Sequence, residues 1–181
     1  MELVQHVYSV LAISTREKFY TSLRGLLPED RYSPLCWESD VTSARRLLLE
    51  RTFDIVVIST PLPDEFGTKL AMHVVDSSSA GVLLLVGAEH YPDISVRLSP
   101  YGILTLQKPT TPQLILQSLQ LLCGTRERLR KMEQKTASIE EKMAEIRLVP
   151  TALSKSKPWI AASPAGPSPT RSSPAISRAD I

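Results

Sequence analysis

The chain has 181 residues, 43% of them hydrophobic and 22% charged, with a formal net charge of +2. That length suits one domain of ordinary size with something appended, and near-neutrality removes any whole-chain electrostatic argument for a nucleic-acid or membrane partner. The two cysteines, Cys36 and Cys123, form no CxxC or metal-ligand spacing and read as buried, inert thiols of a reducing cytoplasm. The opening "MELVQHVYSVLAI" has no basic region ahead of a long apolar stretch, so it is no signal peptide. No apolar run nears the ~20 residues needed to span a bilayer. A soluble, cytoplasmic protein with no membrane contact is expected.

In chain order, residues 1–123 alternate apolar runs with amphipathic stretches. "VYSVLAI" (7–13), "FDIVVIS" (53–59), "GVLLLVG" (81–87) and "GILTL" (102–106) are almost continuously apolar, as expected of strands covered on both faces. A weaker strand falls near "SPLCWES". Helical spacing occurs in "REKFYTSLRGLL", with apolar residues at Phe19, Leu23, Leu26 and Leu27. "VTSARRLLLE" follows Asp40 as N-cap, and "TKLAMHVV" follows Gly67. "TPQLILQSLQLL" has Thr111 as cap and Pro112 at the first helical position. The order βαβαβαβαβα predicts an α/β fold, a five-stranded parallel doubly wound sheet with helices on both faces. Such sheets place their crevice beyond the carboxyl ends of the strands, where strand order reverses. The positions to examine are Ser14, Ser59, Gly87 and the residues after Leu106.

Gly124 reads as an interruption, and residues 125–149 change character. Leu129, Met132, Thr136, Ile139, Met143 and Ile146 recur at alternating spacings of three and four, with seven Lys/Arg and five Glu in the same segment. That is a heptad seam of about three repeats and predicts a dimeric coiled coil. The competing reading is an amphipathic helix folded back on its own domain, although an a/d-only stripe is narrower than such helices usually show. "RERLRK" (126–131) could touch RNA or DNA phosphates, but a solvated coiled-coil face is the expected role. Residues 150–181 hold six prolines, many serines and a single acid, Asp180, which predicts a disordered tail.

The alternation together with "FDIVVISTPLPDEFG" and "LQKP" resembles the receiver domain of two-component response regulators, over about residues 5–123. Pro63, Gly67, Lys108 and Pro109 stand where that family has them. The resemblance implies an acidic pair after the first strand and an aspartate after the third, which together hold Mg²⁺ and accept a phosphoryl group. It further implies a hydroxyl sensor after the fourth strand and the lysine before proline. Here the acidic pair falls on Ser14 and Thr15, the phosphoacceptor on Ser59 and the hydroxyl sensor on Gly87. The family's aromatic position, near "ILTL", is aliphatic. Mg²⁺ requires oxygen ligands of carboxylate type, phosphoryl transfer relies on that metal, and an unassisted serine is a weak nucleophile. Ser59 with Thr60 has no partner base by this mapping. His6, His73 and His90 lack ligand spacing. No catalysis, metal or cofactor is expected, and Lys108 becomes a partly buried remnant or pairs with Asp64 or a backbone carbonyl.

A degenerate receiver followed by a coil ending "IEEKMAEIRLV" resembles regulators with an ANTAR output domain, which bind RNA hairpins and prevent transcription termination. The three output helices expected after about Val149 are replaced by the proline-rich tail. Ser154–Ser163 can be back-translated so that the neighbouring frame reads IEKQAMDRCV, similar to an ANTAR segment, and Trp159 then hides a methionine codon. A deletion with a frameshift, removing the RNA-binding end, is the implied origin. The expected function is a non-catalytic pseudo-receiver that regulates through homodimerisation and contacts with a regulatory protein partner. The rival readings are a protein–protein adaptor with no nucleic-acid role and a working phosphorelay receiver.

Overall fold

A computed structural model describes residues 6–148. The expectations for residue 149 and for the tail 150–181, including its disorder and its frame, lie outside the described residues. Five strands alternate with five helices: β1 Tyr8–Ser14, α1 Glu17–Leu26, β2 Tyr32–Glu38, α2 Val41–Glu50, β3 Ile55–Ser59, α3 Thr68–Ser77, β4 Gly81–Gly87, α4 Tyr91–Leu98, β5 Leu104–Lys108 and α5 Pro112–Leu148. The strands pair in parallel in the order β2-β1-β3-β4-β5. Order reverses at β1 and β3, so the crevice of a doubly wound sheet opens beside the ends of these two strands.

The apolar runs form the strands because both sheet faces are covered. Residues alternate between two cores: Leu11, Ile13, Val56, Ile58 and Leu84 pack with α2 and α3, while Val10, Ala12, Val57, Leu83 and Leu85 pack with Leu23 of α1 and Leu119 of α5. Asp40 caps α2 by accepting from the Ser43 amide at 2.8 Å. The Thr111 hydroxyl accepts from the Leu114 amide at 3.2 Å at the start of α5. Gly67 precedes α3 with φ 102°, and a Cβ there would lie 3.0 Å from Ile58 Cγ2. That left-handed backbone and close approach account for glycine at this position.

Several boundaries differ from those read off the sequence. "GILTL" starts its strand only at Leu104, because Gly102 has φ 73° and ends a 3-10 turn over Ser99–Tyr101. The segment is not wholly aliphatic where it is buried: Thr105 is an inward residue whose Oγ1 has no hydrogen-bond partner among the described residues. The weak "SPLCWES" strand is a full edge strand beside β1. Helix α4 was implied by the alternation without assigned residues; its eight residues bury only Leu98 fully, which leaves a faint periodic signal.

Gly124 does not interrupt the chain. Helix α5 runs through it as one helix of 37 residues. A glycine within a helix costs only about 1 kcal/mol relative to alanine, and buried Leu122 and Cys123 hold the helix against the sheet up to that point. Among the described residues, those up to 140 form one compact unit and 141–148 belong to a second. No helix among the described residues is long and apolar enough to cross a membrane.

Candidate functional site

The strand ends bring the sequence-selected residues together in two registered pairs. Ser14 stands beside Ser59 at the ends of β1 and β3, and Gly87 stands beside Lys108 at the ends of β4 and β5. Ser14 is buried; its Oγ accepts from the Arg16 amide at 3.2 Å, and its carbonyl accepts from Trp37 Nε1 at 3.0 Å. The Thr15 hydroxyl donates to the Pro61 carbonyl at 3.2 Å. Both hydroxyls at the acidic-pair positions are therefore spent on loop backbone. Ser59 forms no side-chain hydrogen bond among the described residues and faces the crevice.

Thr60 is the buried hydroxyl of the site. Its Oγ1 donates to the Leu85 carbonyl at 3.0 Å, and its own carbonyl accepts from Lys108 Nζ. Lys108 thus pairs with a backbone carbonyl and not with Asp64. Burial lowers its pKa, the Arg16 charge lowers it further, and Glu89 acts in the opposite sense. Lys108 leads into Pro109 through a cis peptide. Pro63 lies exposed in the loop after β3, and Gly67 closes that loop at the N-terminus of α3.

Asp64 serves the backbone instead of a site. Its carboxylate accepts from the Val41 amide at 2.9 Å, the Thr42 amide at 2.9 Å and the Thr42 hydroxyl at 2.8 Å. The Val41 amide is the largest influence holding its pKa down, at about 2. Together with Asp40 it satisfies the unpaired amides at the start of α2. Near Gly87 stands Glu89, which the sequence reading passed over; its carboxylate folds back over the glycine, and a Cβ built there would lie 2.5 Å from Oε1. An acid two residues beyond a strand end could have been flagged by position alone.

The crevice at these strand ends has a volume of about 860 Å³. Its floor is Ser14, Ser59, Thr60 and Lys108; α1 contributes Lys18, Phe19 and Leu26, and the start of α5 contributes Ile115. Among the described lining residues there is no carboxylate, and no group of three His, Cys, Asp or Glu among the described residues is placed to hold a metal. The donor set does not fit Mg²⁺, a hard cation that takes oxygen ligands with carboxylates among them.

No family model and no curated protein matches the chain, but solved structures do. The signal receiver domain of an HD domain-containing protein from Pseudomonas fluorescens Pf-5 aligns with a TM-score of 0.63 at 24% identity, over 72% of this chain and 97% of that one. The response regulator receiver domain protein (CheY-like) from Methanospirillum hungatei JF-1 aligns with a TM-score of 0.61 at 16% identity, over 68% of this chain and 98% of that one. The fold is that of a response-regulator receiver domain. The chemotaxis response regulator CheY4 of Vibrio cholerae adds a match at a TM-score of 0.56 and 21% identity, over 65% of this chain and 99% of that one. At these identities the likeness fixes the receiver fold and leaves activity to the residues of the crevice.

A second cluster sits at the opposite, amino-terminal ends of the central strands, and the sequence did not announce it. Asp54, just before β3, accepts from the Ser9 amide and hydroxyl at 2.9 Å each and from Arg126 Nε at 2.7 Å. Arg126 also donates to the Ser79 carbonyl. Arg130 Nη1 donates to His6 Nδ1 at 2.9 Å, and His6 Nε2 lies 3.7 Å from Asp54. Burial alone would raise the Asp54 pKa; the Ser9 amide and the Arg126 guanidinium outweigh it and lower it. Arg126 is therefore no solvated coil residue: the chain fold pairs it with an acid 72 positions earlier. The seam beyond it stays open, with Leu129, Met132, Thr136, Ile139, Met143 and Ile146 all exposed.

Proposed function

We propose that this chain is a non-catalytic pseudo-receiver, a signal-transduction and transcription-regulatory protein that acts by dimerisation and protein contacts. The observation that carries the reading is the crevice itself: Ser14, Thr15, Ser59 and Gly87 occupy the strand ends, and Lys108 alone keeps its family identity there. An aspartate at the acceptor position would be anionic and metal-assisted, whereas the Ser59 hydroxyl has no hydrogen-bonded base among the described residues to activate it. What survives is the five-stranded sheet followed by the long helix α5.

Helix α5 is the output in this reading, and a second copy of the chain is its partner. Leu129, Ile139 and Ile146 are 49%, 56% and 72% exposed. Such a/d residues left open along one spacing are what a parallel two-stranded coil covers. The Asp54–Arg126 clamp fixes where the seam begins. Thr136 and the methionines Met132 and Met143 make it a weak coil, since neither residue type specifies a packed layer as Leu and Ile do. Relation to ANTAR antiterminators is part of the proposal, supported by "IEEKMAEIRLV". Arg126 and Arg130 are engaged by Asp54 and His6, and Lys131 lies 3.6 Å from Glu127, which disfavours phosphate contact by "RERLRK". Sedimentation velocity tests the output. The full chain is expected to dimerise in the micromolar range, and Ile139→Asp to be monomeric with an unchanged circular dichroism spectrum of the αβ domain. A variant that dimerises as tightly as the parent would move the interface to the αβ domain. Salt-resistant preference for a double hairpin over a scrambled RNA would restore the antiterminator role.

A further inference from the structure

The crevice has more room than its polar floor needs. A volume of about 860 Å³ falls within the ~300–1,000 Å³ of small-molecule sites. Its lining joins the cationic Lys108, Arg16 and Lys18 with the apolar Phe19, Leu26 and Ile115. Lys108 spends one of its three donors on the Thr60 carbonyl, and no other partner for it occurs among the described residues. Thr110, also in the lining, has a hydroxyl oxygen without a partner among the described residues. Glu89, lying over Gly87, is the acid whose charge reaches Lys108, and it stands outside the lining. The lining thus carries positive charge and open donors, and none of its own residues is a carboxylate.

We propose that this crevice binds an amphipathic organic carboxylate, its anion on Lys108 and Arg16 and its hydrocarbon body against Phe19, Leu26 and Ile115. The inference rests on the reading above that the strand ends no longer perform phosphoryl transfer. A carboxylate gains charge-assisted hydrogen bonds to Lys and Arg without any metal, and the hydrocarbon gains by leaving water. Inorganic phosphate would satisfy the cations and leave the apolar lining wet. A bound molecule would touch α1 and the first turns of α5, the helix that carries the seam, so occupancy and dimerisation share an element.

The test is calorimetric titration of the full chain with decanoate, and separately with decyltrimethylammonium and inorganic phosphate. Saturable one-to-one decanoate binding is expected, weakened at least tenfold in Lys108→Met and in Phe19→Ser and unchanged in Arg128→Gln. Decyltrimethylammonium should show no saturable heat, and millimolar phosphate should not displace decanoate. Equal binding of the cationic amphiphile, displacement by phosphate, or unchanged affinity in Lys108→Met would overturn the assignment, as would absence of decanoate binding. Should Lys108→Met lose its fold by circular dichroism, the exposed Arg16→Gln carries the same expectation of weakened binding. Failure of decanoate to bind leaves the pseudo-receiver reading standing, because that reading fails only on metal-dependent phosphoryl uptake.

Discussion

Replacing Arg126 by alanine removes the link between the long helix and Asp54 at the start of the central strand β3. The bond lost is a 2.7 Å contact between groups whose side chains are 24% and 15% exposed, together with a donor to the Ser79 carbonyl. Charge-assisted hydrogen bonds contribute about 1.5–3 kcal/mol net, against roughly 0–1 kcal/mol for exposed ion pairs. Asp54 keeps both Ser9 donors after the change and can admit water, which puts the expected cost near the lower end, at about 1–2 kcal/mol. Urea unfolding at fixed chain concentration measures it, with Asp54→Asn and the double variant completing a cycle. The coupling should be about 1 kcal/mol or more. The pH dependence has a definite sign. The Asp54 pKa is lowered in the folded state, so its contribution is present above the unfolded value of about 3.9 and disappears as pH falls through the folded value. The difference between parent and Arg126→Ala should therefore be flat from about pH 7 to about pH 5 and shrink below about pH 4. A coupling within the range of exposed pairs, or a difference that grows on acidification, would refute the clamp.

Gly67→Ala should destabilise the domain by about 1–3 kcal/mol, because alanine must adopt a positive φ and press its Cβ on Ile58; a neutral result in thermal unfolding would contradict the stated geometry. Leu119→Ala, at a fully buried position between α5 and the sheet, should cost about 2–5 kcal/mol in the same assay. Asp64→Asn should weaken the α2 cap and leave decanoate binding untouched, since its carboxylate bonds only to Val41 and Thr42 among the described residues; altered binding would place Asp64 in the crevice after all.

Much of the fold was legible because its strands are buried on both faces. "DIVVIS" and "GVLLLVG" carry that environment as unbroken apolar runs, and Asp40, Thr111 and Pro112 mark helix starts by local chemistry alone. The strand-end residues Ser14, Ser59, Gly87 and Lys108 were legible too, because their positions follow from the strands. The electrostatic partners were not. Asp54 and Arg126 meet only when the chain is folded, and each looks like an ordinary surface charge in its own neighbourhood. Gly124 misled for the opposite reason: a local breaker was overridden by tertiary contacts on either side of it. The apolar lining of the crevice likewise draws on α1 and α5, which nothing in either segment alone brings together.

The measurement that bears most directly on the central claim is phosphoryl uptake from acetyl phosphate with Mg²⁺, followed by intact-mass spectrometry and hydroxylamine sensitivity. Without carboxylates at Ser14, Thr15 and Ser59 there is nothing to hold the metal, so no mass increase is expected in the parent. The single variant Ser59→Asp should stay unlabelled as well, because it restores an acceptor without its metal ligands. A hydroxylamine-sensitive phosphoryl group on the parent chain would contradict the account.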